Sequence, residues 1–543
     1  MDFNLAQVAE AVADAAGDRP AIVHDGRTTT FAQLAERTRR LANALIDRGL
    51  HVSAERGELE PWESGQPMLG LYLHNSPEYL EGMLGSYKAR VAPFNVNYRY
   101  VEEELRYLLD DSDCEALIFH SAFAPRVAAV RAELPKLAVL LQVPDDSGHD
   151  LLPDAEWYED ALAGASDAPP PVEPSPDDLY VLYTGGTTGM PKGVLWRQAD
   201  IYPASLGGRQ LGTGIELASL DEIVETAANG GARVMPVAPF MHGAAHWLAF
   251  NALNGGNTVV IQHNTTALDA GDVWQTVADE GVNVVLIVGD AFARPLLDEL
   301  EAGDYDTSSL LMFISGGAAL TAPLKDAFLE KIPAMSIMDG LGASETGTQA
   351  SQFSSAGSAS STGTFTPGPG MCIVSDDLTR VLEGPDTEMG WLAQEGRVPL
   401  GYLGDADKSA ATFPEIDGVR YAVPGDKARL VGGLLELHGR DSVTINSGGE
   451  KIFAEEVEQA LAHHPAVYDV VVAGRPSERW GQEVVAVVQL RGGFDASVAE
   501  LLDTCAQHVA RFKLPKDVVF VDHVERSPAG KADYRWARDI AAR

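Results

Sequence analysis

Tyr183–Val194 reads YTGGTTGMPKGV, a run of glycines and hydroxyls closed by one lysine and entered from the apolar stretch Leu179–Tyr183. Glycines let the backbone come close to a bulky anion, and their amides can point at its oxygens. Gly185, Gly186 and Gly189 supply that approach, Thr184, Thr187 and Thr188 add hydroxyls, and Lys192 adds a point charge suited to a polyphosphate. A Walker loop requires Gly-Lys-Ser/Thr opening a helix. Here Pro191 precedes the lysine, Gly193 follows it, and Val194–Trp196 continues apolar. The segment reads as a mobile hairpin tip closing over phosphates. A plain Gly/Thr surface turn explains the glycines but not three threonines and a lysine at this spacing.

At 543 residues the chain exceeds what one core supports, so two or more domains are expected. Its 45% hydrophobic and 22% charged residues are those of a soluble globular enzyme. The opening MDFNLAQVAEAV has no basic region before an apolar run, so no secretory signal is expected. No stretch approaches the roughly 18–20 apolar residues that span a bilayer. Cys114, Cys372 and Cys505 are far apart and odd in number, which suits a reducing cytoplasm and forms no metal pattern. The net charge is −39, yet from Arg440 onward 13 basic residues face 16 acidic ones, so all but three of those charges precede residue 440. Nucleic acid is excluded as a partner of such a surface. The basic C-terminal stretch (Arg511, Lys513, Lys516, Arg526, Lys531, Arg535, Arg538, Arg543) is either a solvated face or the end that meets an anionic ligand.

Leu5, Val8 and Val12, then Leu34, Thr38, Leu41 and Leu45, recur at helical spacing. Short apolar runs at Met68–Leu73, Ala116–Phe119, Val139–Val143, Val259–Ile261, Val284–Val288 and Leu310–Ile314 are separated by helical patterns, which predicts parallel α/β sheets. Ser354–Gly370, rich in Ser, Gly, Thr and Pro, predicts a flexible loop. After Arg440 the texture becomes that of a small α+β unit: a helix through Val457 and Leu461, strands Val467–Val472 and Val484–Leu490, a helix from Val498 to Val509, and a strand Val518–Val521. The expected division is a large N-terminal domain of parallel-rich sheets with helices, 1–438, and a small mobile α+β cap, 439–543.

Five further segments join the opening one: SGGAAL (Ser315–Leu320), DGLGASETG (Asp339–Gly347), YAVPGD (Tyr421–Asp426), GRDSVTINSGGEKI (Gly439–Ile452) and RSPAGKADY (Arg526–Tyr534). In this order the chain resembles the adenylate-forming superfamily of acyl-CoA synthetases, non-ribosomal adenylation domains and firefly-type luciferases. NVNYRYVEEELRYLLDDSD (Asn95–Asp113), VGDAFARPLLDEL (Val288–Leu300) and INSGGEKIFAEEVE (Ile445–Glu458) are similar to actinobacterial synthetases that activate fatty acids and steroid side-chain acids.

The resemblance implies an α/β enzyme that uses ATP, Mg²⁺ and CoA on an apolar small-molecule carboxylic acid. It implies that Thr184 and Lys192 act on phosphates and that Glu345 is the Mg²⁺ ligand, a hard carboxylate oxygen for a hard cation. Ser344 keeps the hydroxyl where Thr is usual, and Leu341 replaces the usual Tyr beside the base and substrate pocket. Gly316, Gly317, Ala318 and Gly340 would let adenine lie against backbone, with Asp339 in the same nucleotide-binding set. Asp426 and Arg440 would meet the ribose, and Pro424 stands for the usual Thr. Lys531 would bridge the substrate carboxylate and the α-phosphate. Ser447, Gly448, Gly449 and Lys451 would admit pantetheine, and the pivot falls at Asp441, Ser442 or Val443.

The resemblance implies that His242 and Gly243 line the acid pocket, and Trp247 would line the acyl channel or simply the core. His242 and His246 have helical spacing, but with no neighbouring Glu and no third ligand a zinc reading is weak. Gly342–Gly347 misses the hydrolase elbow by one residue. Two alternatives stay open at this point: an enzyme that loads a carrier-protein phosphopantetheine, and a catalytically degenerate nucleotide-binding regulator. A homodimer is one candidate assembly, on which the sequence is silent.

Overall fold

The computed structural model describes residues 2–184, 190–210, 212–358, 360–440, 443–447, 450–477, 479–527 and 530–543. Gly185, Gly186, Thr187, Thr188, Gly189, Gly448 and Gly449 lie outside the described residues, as do Asp441 and Ser442. The chain is α/β and divides into two compact units. One is Met1–Leu286 with Ser344–Gly347 and Gly396–Phe413; the other is Ile287–Ala343 with Thr348–Glu395 and Pro414–Arg543.

In the first unit, five parallel strands lie side by side in the order Ala92–Asn95, Met68–Tyr72, Cys114–His120, Val139–Val143, Glu156–Trp157. Met68–Tyr72 and Val139–Val143 are buried at every position. A parallel strand covered on both faces shows no alternation, which is why these stretches read as apolar runs. Helices Pro77–Lys88, Glu102–Asp111 and Ala124–Arg131 make the crossovers. A second sheet sets Arg27–Thr30, Pro20–His24, Thr258–Ile261, Arg233–Pro236 and residues 284–286 in order, parallel except for the first pair. The hairpin strands Leu179–Thr184 and Lys192–Arg197 are antiparallel, and Gly401–Tyr402 adds a third strand along Val194 and Leu195.

In the second unit, Met312–Gly316 runs parallel to Ser336–Ala343 with helix Ala322–Lys331 as the crossover. Antiparallel strands then surround Phe365, Ile373, Leu392, Ala428 and Leu435. The stretch expected as one flexible loop contains the strand Thr364–Pro367, whose Phe365 pairs with Leu435 inside that core. One buried aromatic overrides the Ser/Gly composition around it.

The end of the chain has a core on each side of one sheet. Val470, Val472, Val484, Ala486 and Val488 pack under helices Ala454–Ala462 and Val498–Cys505. Val471, Ala473 and Val485 face the opposite way, toward Ala537 and Ala541 of helix Tyr534–Ala541. This is the period-two alternation of a strand with two covered faces. The helix expected to reach Val509 stops at Cys505.

Candidate active site

Thr184 closes the first hairpin strand and stands opposite Lys192, which opens the second. Tyr183 is pinned: its N–H donates to Asn95 Oδ1 and its carbonyl accepts from Asn95 Nδ2, both at 2.8 Å. Its hydroxyl donates to Asp111 at 2.9 Å. Gly193 has to stay small, since a Cβ there would stand 2.9 Å from the Tyr183 ring. The Lys192 ammonium forms an ion pair with Asp405. Asp405 is the N-cap of helix Ala406–Thr412, its Oδ1 accepting from Lys408 N at 2.9 Å. Three residues earlier, Tyr402 donates its hydroxyl to Glu345 Oε1 at 2.8 Å. Buried Trp196 donates Nε1–H to the Ser344 carbonyl at 2.9 Å. Residues 401–405 therefore tie Lys192 and the Ser344-Glu345 pair into one framework. A half-buried carboxylate steadied by a tyrosine hydroxyl has the oxygen chemistry that would hold a Mg²⁺.

His242 is the N-cap residue of helix Gly243–Asn254. A Cβ on Gly243 would lie 3.0 Å from Leu182 and 3.3 Å from the Trp247 ring. Trp247 Nε1–H donates to the Tyr180 oxygen at 2.7 Å, Tyr180 donates to His246 Nε2, and His246 Nδ1–H donates to the Phe240 carbonyl at 2.7 Å. Burial pushes His246 down to about 4, so it is a neutral core histidine. Among the described residues no group of three His, Cys, Asp or Glu is placed to hold a metal ion. A cleft of about 1210 Å³ in this unit, lined by His24, His74, His120, His263 and Asp145 among others, includes none of the expected site residues.

In the second unit Gly316 pairs with Gly340, and Ser315 with Asp339. Gly317 has φ +86°, a conformation that favours glycine, and the Lys531 Cε lies 3.9 Å from where its Cβ would be. Ala318 follows it, half-buried. Lys531 is exposed, and its backbone closes a turn with Ser527, N to Oγ at 3.2 Å and O from Ser527 N at 2.8 Å. The Gly316–Ala318 segment and Lys531 thus come together. Beneath them, fully buried Lys325 donates to Asp339 Oδ2 at 2.9 Å, Gln352 Oε1 at 2.8 Å and the Ser361 carbonyl at 3.0 Å. Burial raises Asp339 to about 6 against the opposing pull of Lys325. Leu341 packs against the antiparallel core. Asp426 is the ladder partner of Arg440, Lys451 that of Asn446, and Ser447 pairs with Glu450 and Gly481.

Sequence reasoning missed Tyr402, Asp405 and Lys325. Asp405 reads locally only as a helix cap, and a lysine in PLKDAF reads as a solvated helical face.

The chain matches the family model described as AMP-binding enzyme over residues 9–397, and the AMP-binding enzyme C-terminal domain over residues 456–531. It belongs to the AMP-binding enzyme family. It is 56% identical over 541 residues to the medium-chain acyl-CoA ligase Mig of Mycobacterium avium, covering 99% of this chain and 98% of that relative. With the 3-oxocholest-4-en-26-oate–CoA ligase of Rhodococcus rhodochrous it shares 40% identity over 553 residues, covering 99% and 96%. The crystal structure of ATP-bound MatB from Rhodopseudomonas palustris has the same fold, with a TM-score of 0.79 at 24% identity over 98% of each chain.

Proposed function

We propose that this protein joins an apolar carboxylic acid, a medium- or long-chain fatty acid or a steroid side-chain acid, to CoA through an acyl-adenylate. The enzyme class is acyl-CoA ligase, and its co-substrates are ATP and CoA. A carboxylate oxygen attacks the α-phosphorus of ATP, forming the acyl–phosphate bond as the bond to pyrophosphate breaks. The CoA sulfur then attacks the acyl carbon, the thiol proton is lost to solvent, and AMP leaves. Both partners in the first step are anions, so catalysis consists of positioning and charge cancellation.

Lys192 and Thr184 hold the outgoing phosphates, together with Gly185, Gly186, Thr187, Thr188 and Gly189. Lys531 draws the carboxylate and α-phosphate together, and residues 316–318 with Asp339 and Gly340 hold the base. Asp426 and Arg440 hold the ribose, and His242, Gly243, Trp247 and Leu341 border the acid. Mg²⁺ at Glu345 would neutralise phosphate charge. Ser447, Gly448, Gly449 and Lys451 line the thiol's approach, and 439–543 acts as a mobile cap on 1–438. The observation that supports this most directly is the stem of Lys531 beside Gly317.

The test is a panel of short, medium, long, aromatic and steroid acids with ATP and either CoA or a phosphopantetheinyl carrier protein. Pyrophosphate release and thioester mass are read together. We expect both with CoA and an apolar acid; thioester on the carrier alone would overturn the choice of acceptor.

A further inference from the structure

We propose that Asp405 is a positioning residue that exchanges Lys192 with the triphosphate: it holds the ammonium before ATP binds, yields it to the phosphates, and takes it back as pyrophosphate leaves. This rests on the reading of Lys192 as a phosphate ligand.

The carboxylate is fixed without the lysine. Its Oδ1 accepts from Lys408 N at 2.9 Å, its carbonyl accepts from Ser409 N at 3.0 Å and Ser409 Oγ at 2.6 Å, and its N–H donates to Tyr402 O at 3.2 Å. Beyond Lys192 the backbone is equally fixed, because the Gly193 carbonyl accepts from Leu403 N at 2.8 Å and Leu195 O from Leu400 N at 2.7 Å. Only the four-carbon arm is left to swing. The pair is partly open to water, the two side chains being 40% and 28% exposed, and such a pair is weak enough for a polyanion to break. Asp111, another carboxylate whose charge Lys192 influences, is engaged by the Tyr183 and Tyr107 hydroxyls. The same short segment steadies Glu345 through Tyr402, so freeing the lysine need not disturb the acid.

Asp405→Asn keeps the capping oxygen and removes the charge; Asp405→Ser does so with a different cap. In both, we expect the KM for ATP and the inhibition constant of pyrophosphate to fall together by about two- to fivefold, the size of a partly exposed ion pair. In a Lys192→Met background neither substitution should shift these constants further. A merely structural cap would lower the melting temperature and leave both constants alone. Unchanged or raised constants, or a shift that persists without the lysine, overturn the exchange. If wild-type enzyme forms no acyl-adenylate with any acid, the ligase reading itself falls and takes the exchange with it.

Discussion

Lys531 is an exposed residue, and the Cε of its stem lies beside Gly317, which has φ +86°. A side chain at Gly317 would be strained by the positive φ, while its Cβ would make only ordinary contact with that stem. In the proposed reaction Lys531 is needed where carboxylate and phosphate meet and has no task once the mixed anhydride exists. Lys531→Ala is therefore expected to slow acyl-adenylate formation by about two to three orders of magnitude, the usual effect of losing one preorganised donor. Conversion of supplied acyl-adenylate and CoA to thioester should continue near the wild-type rate. Rapid-quench measurement of the two half-reactions separates these, and equal loss in both would refute the assignment.

The helix Gly243–Asn254 and the strand Leu179–Thr184 are fastened to each other by the chain Trp247–Tyr180–His246, which in the proposed reading links the acid pocket to the strand before the phosphate loop. Gly243 sits at their junction against Leu182 and Trp247. Gly243→Val is expected to narrow the pocket and to lower kcat/KM for the longest accepted acid about tenfold or more relative to the shortest, since one methylene in an apolar pocket has an effect of that size. A homologous series of straight acids measures it; a loss uniform across chain lengths would remove Gly243 from the pocket. Elements of this kind were legible where a local demand writes itself into composition. A doubly covered strand such as Val139–Val143 has to be apolar throughout, and a phosphate loop needs Gly, Thr and Lys together. The strand around Phe365 was not legible, because a distant partner, Leu435, decides it. Nor was the framework of the site: Lys192 and Asp405 are 213 positions apart. The burial of Lys325 likewise depends on Asp339, Gln352 and Ser361, none on its own helix.

Across the whole molecule, a net charge of −39 pushes the folded chain apart, and the C-terminal segment, nearly balanced in sequence, conceals a carboxyl that adds to this with rising pH. Glu458 accepts from Val472 N at 2.8 Å and from the Tyr534 hydroxyl at 3.4 Å, tying helix Ala454–Ala462 to a sheet strand and to the last helix. The residue is half-buried, and its burial, reinforced by Glu455, raises it from 4.5 to about 8. The folded state thus keeps a proton that the unfolded state releases. The stability this contributes is complete below about 4.5 and is lost as pH rises through about 8. Asp339, raised to about 6, has the same sign in a lower window and is common to both proteins in the comparison that follows. Glu458→Gln has the shape of the protonated acid and cannot ionise. Its melting temperature should exceed wild type only slightly near pH 5.5 and by much more near pH 9, in the transition that includes residues 445–541. The melts belong at constant ionic strength, because salt screens the general repulsion and would otherwise mimic the effect. A Gln variant less stable than wild type at pH 9, or offset equally at both pH values, would mean that Glu458 is ionised in the fold and held there by partners worth more than its burial costs.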